Sequence, residues 1–175
     1  MLISRTLILA LVFVPLAFGI TYMDVRYRRI PNKLVILILV SGLIINSIFG
    51  GWSGLLVSLG GSALAFGLML FLHIFATMGA GDVKLFAAVG SVVGLSHVFP
   101  TLMIVALSGG LFAVGKMIYS RRVVSTLSGV GQFFYGLLPG QTVPRFAVPA
   151  DRSNTLPYAV PICWGSVIAF FLFRA

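Results

Sequence analysis

Long apolar stretches alternate with short, basic, turn-rich links from one end of this chain to the other. Six of these stretches are predicted as helices, at about 6–23, 34–50, 55–77, 83–99, 101–119 and 156–173. Each is close to the roughly 20 residues that a helix needs to cross a bilayer. The predicted fold is an all-α integral membrane protein, a bundle of about six transmembrane helices forming one domain over 1–175. The first stretch has the outline of a signal peptide, with Arg5 ahead of it and the small residues Ala17 and Gly19 near its end. Cleavage there would strip Asp24 of the helix that holds it, so the stretch is read as a retained span.

The segment 120–154 breaks the rhythm. Val123, Val124, Leu127, Phe134, Leu137 and Leu138 recur at roughly helical spacing just after Arg121 and Arg122. That spacing predicts an amphipathic helix lying on the membrane surface. Pro139, Gly140, Pro144 and Pro149 then end regular structure. No internal repeat is visible.

Composition agrees with a membrane class. Hydrophobic residues make up 59% and charged residues 9%, where a soluble domain carries about a quarter charged. A formal charge of +9 would point to nucleic acid in a soluble protein, but here the cations lie in the links between apolar runs. They report membrane topology, so the bilayer is the expected partner and nucleic acid is not. Of the 12 Lys and Arg residues, all but Arg5 and Arg174 fall on the side reached by the end of the first span. By the positive-inside tendency that side is cytoplasmic, and both termini are then periplasmic. A single cysteine, Cys163, excludes an internal disulfide and a multi-cysteine zinc site. No metal or other cofactor is expected.

Acids are the scarce commodity: Asp24, Asp82 and Asp151 are the three in the chain. Asp151, beside Arg152, reads as a solvated loop residue. Asp24 and Asp82 both fall at cytoplasmic ends of spans, at one membrane depth. Small residues that favour close helix packing lie in the third span (Gly60, Gly61, Ser62, Gly67) and at Gly90 and Gly94 in the fourth. Taken alone, Asp24 reads as the partner of Arg26 or Arg28, with Pro31 and Asn32 forming a turn or the start of the next helix and Asn32 a candidate cap. GAGD at 79–82, taken alone, reads equally well as a turn or as a glycine-loosened backbone beside which an extended chain pairs.

Together the two aspartates change the picture. Two carboxylates in contact share a proton near neutral pH, because both cannot ionise easily. The ionised member can activate a water while the protonated one donates to a scissile carbonyl. That is aspartic-protease chemistry, and it needs no metal, cysteine or serine. Lys84 either tunes the pair or snorkels to the interface, the second being favoured. His73 and His97 read as packed or interfacial residues.

DVRYRRIPN at 24–32, GAGDVKL at 79–85 and LPYAVPICWG at 156–165, in this order among six spans, resemble the type IV prepilin peptidases. These are membrane aspartic proteases of the GxGD type. The resemblance implies that Asp24 and Asp82 are the catalytic pair, and that Gly79, Ala80 and Gly81 form the motif's loop, with Ala80 in the variable place. It also implies that Pro157 and Tyr158 lie near the site. The implied substrate is a prepilin, cut after a glycine and before its hydrophobic helix, on the cytoplasmic face of the bacterial inner membrane. Many members of the family carry an added four-cysteine domain and methylate the new N-terminus. With one cysteine and no room for that domain, this chain resembles the short peptidase-only branch associated with Flp (tight-adherence) pili, and N-methylation is not expected. Two other readings remain open. A small cation- or proton-coupled transporter would place its acids near mid-span, and a non-catalytic pilus-assembly scaffold would need no carboxylate pair. The sequence does not fix the oligomeric state.

Overall fold

The computed structural model describes residues 2–76, 79–119 and 158–174. Five α-helices carry them: α1 (Leu2–Tyr27), α2 (Asn32–Ala76), α3 (Ala80–Val93), α4 (Val98–Tyr119) and α5 (Ala159–Arg174). A 3₁₀ turn, Leu95–His97, links α3 to α4. The predicted amphipathic helix over 120–154, Asp151 and Pro157 lie outside the described residues. The chain divides into two compact units, Met1–Gly109 with Pro157–Ala175, and Gly110–Leu156. In the second unit the described residues are those ending α4.

Three described helices are long and apolar enough to cross a membrane, over Ser4–Tyr27, Asn32–Ile74 and Leu95–Gly115, and Ala159–Phe173 is a shorter apolar one. Large hydrophobic side chains such as Leu11, Ile48, Trp52 and Leu107 stand fully outward. A water-soluble surface does not carry apolar area on this scale, so this is a membrane protein.

A straight helix of 45 residues would be about 68 Å long, more than twice the ~30 Å hydrocarbon core. α2 is not straight. Gly51 has φ 57 and ψ −143 inside it, a conformation that costs glycine little and other residues much. Asn46 and Ser58 would stand about 18 Å apart on one helix, yet Asn46 Nδ2 lies 3.4 Å from Ser58 Oγ. The chain therefore reverses at Gly51, and α2 is a hairpin of two limbs. These limbs correspond to the predicted stretches 34–50 and 55–77.

α3 runs against both limbs and is buried nearly all round, from Asp82 to Val93. Where α3 meets the second limb, backbones touch. A Cβ on Gly90 would lie 2.6 Å from that of Ala65 and 2.8 Å from the Gly61 carbonyl carbon. Gly61 makes the close crossing with both Gly90 and Gly94, since a Cβ on Gly61 would lie 2.8 Å from the Gly94 carbonyl carbon, and Gly94 has a second role. With φ 80 it ends α3, its N–H bonding the Gly90 carbonyl at 3.0 Å, as glycine commonly does just past a helix. The stretch 83–99 is consequently not one helix: α3 stops at Val93, about 21 Å long, and α4 begins at Val98. Gly90→Ala is expected to cost about 1–3 kcal/mol, since backbone rather than a flexible side chain must yield. A thermal midpoint in detergent equal to that of the parent would contradict the crossing.

At the end of the bundle remote from Asp24, one amide ties these helices together. Arg5 of α1 donates from Nε (3.1 Å) and Nη2 (2.8 Å) to Asn46 Oδ1. Asn46 Nδ2 donates to the Ser91 carbonyl of α3 at 2.7 Å, and Ser58 Oγ donates to the same oxygen. Polar groups in an apolar bundle must find partners, and this fully buried asparagine satisfies three elements at once.

Candidate active site

Helical register explains why Asp24 points inward. Leu9, Phe13, Ala17 and Ile20 form the buried stripe of α1, in steps of four, four and three that keep to one face. Asp24 is the next step, and it is 7% exposed. The helix then ends abruptly. Arg28 takes φ 54, and its N–H bonds the Asp24 carbonyl at 3.0 Å. Pro31 caps α2 through its own carbonyl, which accepts from Leu34 and Val35 N–H at 3.1 and 3.3 Å. Asn32 is therefore the first residue of α2 rather than its cap.

Asp82 sits in the first turn of α3, ahead of the predicted span 83–99, and is 6% exposed. Gly79 is the N-cap of α3, and its carbonyl accepts from Asp82 N–H at 3.0 Å and Val83 N–H at 3.4 Å. The Asp82 carboxylate in turn takes a hydrogen bond from the Gly79 N–H. This is the acidic half of a capping box, with the carboxylate at the favourable end of the helix dipole. The glycines supply room rather than unusual dihedrals, since Gly79 has an ordinary extended backbone (φ −66, ψ 137). A Cβ on Gly79 would come 2.9 Å from Asp82 Oδ2, and one on Gly81 would come 3.2 Å from Ile30 Cδ1. Gly79 thus clears space for the carboxylate, and Gly81 receives the isoleucine of the segment between α1 and α2. The two motifs meet through that contact.

The third element is α5. Ala159 N–H, at the start of this helix, donates to Asp24 Oδ2 at 3.2 Å. Arg28 also lies within electrostatic reach of Asp24. The Asp82 carboxyl is raised to about 6, by burial first and by the charge of Asp24 second, with the Gly79 N–H opposing both. A carboxylate that feels its neighbour this way is within interacting distance of it. Asp24 and Asp82 therefore lie within electrostatic reach of each other, each beside the start of a helix.

The remaining sequence candidates are placed differently. Tyr158 is half-exposed, immediately before Ala159, and its carbonyl accepts from Ile162 N–H at 3.3 Å. Ala80 is exposed, and the expected loop is instead a helix start, with Gly79 as N-cap and Ala80 and Gly81 in the first turn of α3. Lys84 is also exposed, about 200° around α3 from Asp82 at 100° per residue, and it is not among the groups that set the Asp82 carboxyl. His97 stacks on Phe173 with ring centroids 6.0 Å apart, a packing role. Cys163 is buried, hydrogen-bonded to Thr21, and feels the charges of both aspartates. Among the described residues, no group of three or more His, Cys, Asp or Glu side chains could hold a metal ion. The Ala159 amide is what sequence reasoning missed, because a backbone donor 135 residues from its acceptor leaves no side-chain signal.

A model of the type IV leader peptidase family matches residues 11–114, which include Asp24, Asp82 and the glycines Gly79 and Gly81. The prepilin leader peptidase/N-methyltransferase of Bacillus subtilis (strain 168) is 30% identical over 127 residues, covering 68% of this chain and 48% of that protein. The chain thus spans about half the length of that curated relative. No solved structure matches it.

Proposed function

This chain belongs to the type IV leader peptidase family, and on that premise we propose that it is a membrane aspartic endopeptidase that removes the leader of Flp-like prepilins. The reading includes six spans, with the first and second limbs of α2 crossing separately, and an active site on the basic, cytoplasmic side. The observation that carries it is that two motifs far apart in sequence, each with a buried carboxylate, meet where Ile30 packs on Gly81. The activity proposed is cleavage alone. The four-cysteine motif that accompanies methylation in the family has no counterpart in a chain with one cysteine.

The chemistry follows from the surroundings of each carboxylate. Asp24, which accepts the Ala159 N–H and lies near Arg28, holds the negative charge and acts as base. Asp82, buried beside that charge, holds the proton. Water between them loses a proton to Asp24 as its oxygen attacks the scissile carbonyl carbon. Asp82 gives its proton to the carbonyl oxygen, so a neutral gem-diol forms. Asp24 then passes its proton to the amide nitrogen as the C–N bond breaks, and Asp82 recovers one from a gem-diol hydroxyl. Both carboxyls return to their starting states.

Co-expression with a panel of prepilins that includes an Flp-type precursor tests the activity, read as a loss of the leader's mass. The Flp-type precursor should be shortened at its glycine-to-helix junction, and a precursor that stays full length would sink the substrate assignment. Gly79→Ala gives a finer test. With a Cβ only 2.9 Å from Asp82 Oδ2, the carboxylate must shift, and misplacement on this scale lowers turnover by about 10–100-fold. Protein yield and melting should stay near the parental values. A variant that cleaves at full rate would show that the glycine has no part in positioning Asp82.

A further inference from the structure

A groove of about 610 Å³ runs between the two limbs of α2 with α3 as its floor. It extends from Asn32 to Leu43 on the first limb and from Leu59 to Phe66 on the second, with Lys84 and Ala87 on α3. Its chemistry is graded. Asn32, the first residue of α2, and Lys84, in the opening turns of α3, stand at the end nearest the basic links. Leu39, Leu43 and Leu59 line it further from that end. From Asn32 to Leu43 the helix rises about 16 Å, close to the ~15 Å depth of one leaflet's hydrocarbon. The groove is thus one leaflet deep, apolar along its length, and cationic where headgroups lie.

Orientation and charge decide between occupants. The groove opens on the face of α3 turned about 200° from Asp82, so a peptide seated in it points away from the carboxylate pair. An acyl chain can follow the mostly apolar lining, and a phosphate suits the lysine. We propose that this groove binds an anionic phospholipid of the leaflet on the basic side, with its acyl chain between the limbs of α2 and its phosphate at Lys84. Lysines at such interfacial pockets favour acidic headgroups. The site rests on the membrane placement of the chain and is independent of the peptidase reading.

Native mass spectrometry of the purified full chain, exchanged into equal amounts of phosphatidylglycerol and phosphatidylcholine, tests this. The wild type should retain one lipid, with phosphatidylglycerol favoured about fivefold, the preference worth one interfacial lysine. Lys84→Gln should bring the two lipids to parity, and Ala87→Leu should lose both. A wild type that retains the two lipids equally, or a Lys84→Gln variant with its preference intact, overturns the proposal. Because a variant can fail for want of folding, a photoreactive phosphatidylglycerol carries the same test on the wild type. Its crosslinks should map to residues 32–43 or 59–66; crosslinks confined elsewhere, displacement by millimolar inorganic phosphate, or capture of a prepilin by a photoreactive group at Ala63 overturn it. Asp82→Asn should retain lipid as the wild type does, so a failed lipid result and a failed peptidase result are separable.

Discussion

Asp82→Asn and Asp24→Asn are each expected to lower prepilin cleavage by at least ~10³-fold while the protein stays in the membrane. The size of the loss follows from the division of labour. Without Asp24 no carboxylate takes the proton of the attacking water; without Asp82 no acid meets the developing oxyanion. Loss of one such group typically costs 10²–10⁴-fold, and here the partner is left poised for a step it cannot complete alone. Asparagine preserves shape and, at position 82, an oxygen that can still accept from the Gly79 N–H. The loss should therefore appear in kcat, with precursor binding little changed. Cleavage at the parental rate by either variant would remove that residue from the mechanism.

Asp82 also sets an expected pH dependence. Its folded-state carboxyl is raised from 3.8 to about 6, by burial first and the charge of Asp24 second. Cleavage needs this proton, so the rate should fall as pH rises through about 6, approaching tenfold per unit well above it. At lower pH the rate should fall again once both carboxyls are protonated, giving a bell whose two limbs belong to the pair. Stability runs with a definite sign. A carboxyl that binds its proton more tightly in the folded state than in the unfolded one destabilises the fold wherever it must ionise. The cost is absent below pH ~4 and fully developed above pH ~6. Two pH units correspond to about 3 kcal/mol, an upper figure for a site at the membrane surface. Asp82→Asn, which has no proton to lose, should thus melt at a higher temperature than the wild type at pH 7.5 and at the same temperature at pH 4. An inactive variant that is also more stable cannot owe its inactivity to unfolding.

Much of this was legible in the residues because two signals were strong. Apolar runs of spanning length named the helices, and scarcity made Asp24 and Asp82 conspicuous. The register of α1 was not legible, since Leu7, Leu11 and Phe18, which face outward, are as apolar as Leu9, Phe13, Ala17 and Ile20, which face inward. Other features were hidden for physical reasons. Gly94 packs against Gly61 as its place in a helix-packing pair suggests, and its positive φ also ends α3; a glycine's letter does not say that it serves termination as well as packing. Asn46, Ser58 and Ser91 are isolated polar residues in apolar runs, and their meeting depends on the reversal at Gly51. The glycines of GAGD drew attention for conformational freedom, whereas Gly79 and Gly81 matter for the space a Cβ would fill. Ala159 acts through its backbone, where side-chain identity carries no information.

The account stands or falls on Asp24 and Asp82 working as one unit, and a double-mutant cycle measures that directly. Cleavage of a purified prepilin by wild type, Asp24→Asn, Asp82→Asn and the double variant should be timed in the same lipid at pH 6. Each single variant is expected to lose ~10³-fold or more, and the double variant no more than about threefold beyond the slower single one, because either loss already disables the pair. Losses that multiply, or a single variant that cleaves at the parental rate, would mean that the two aspartates act separately and that the proposed shared-proton mechanism is wrong.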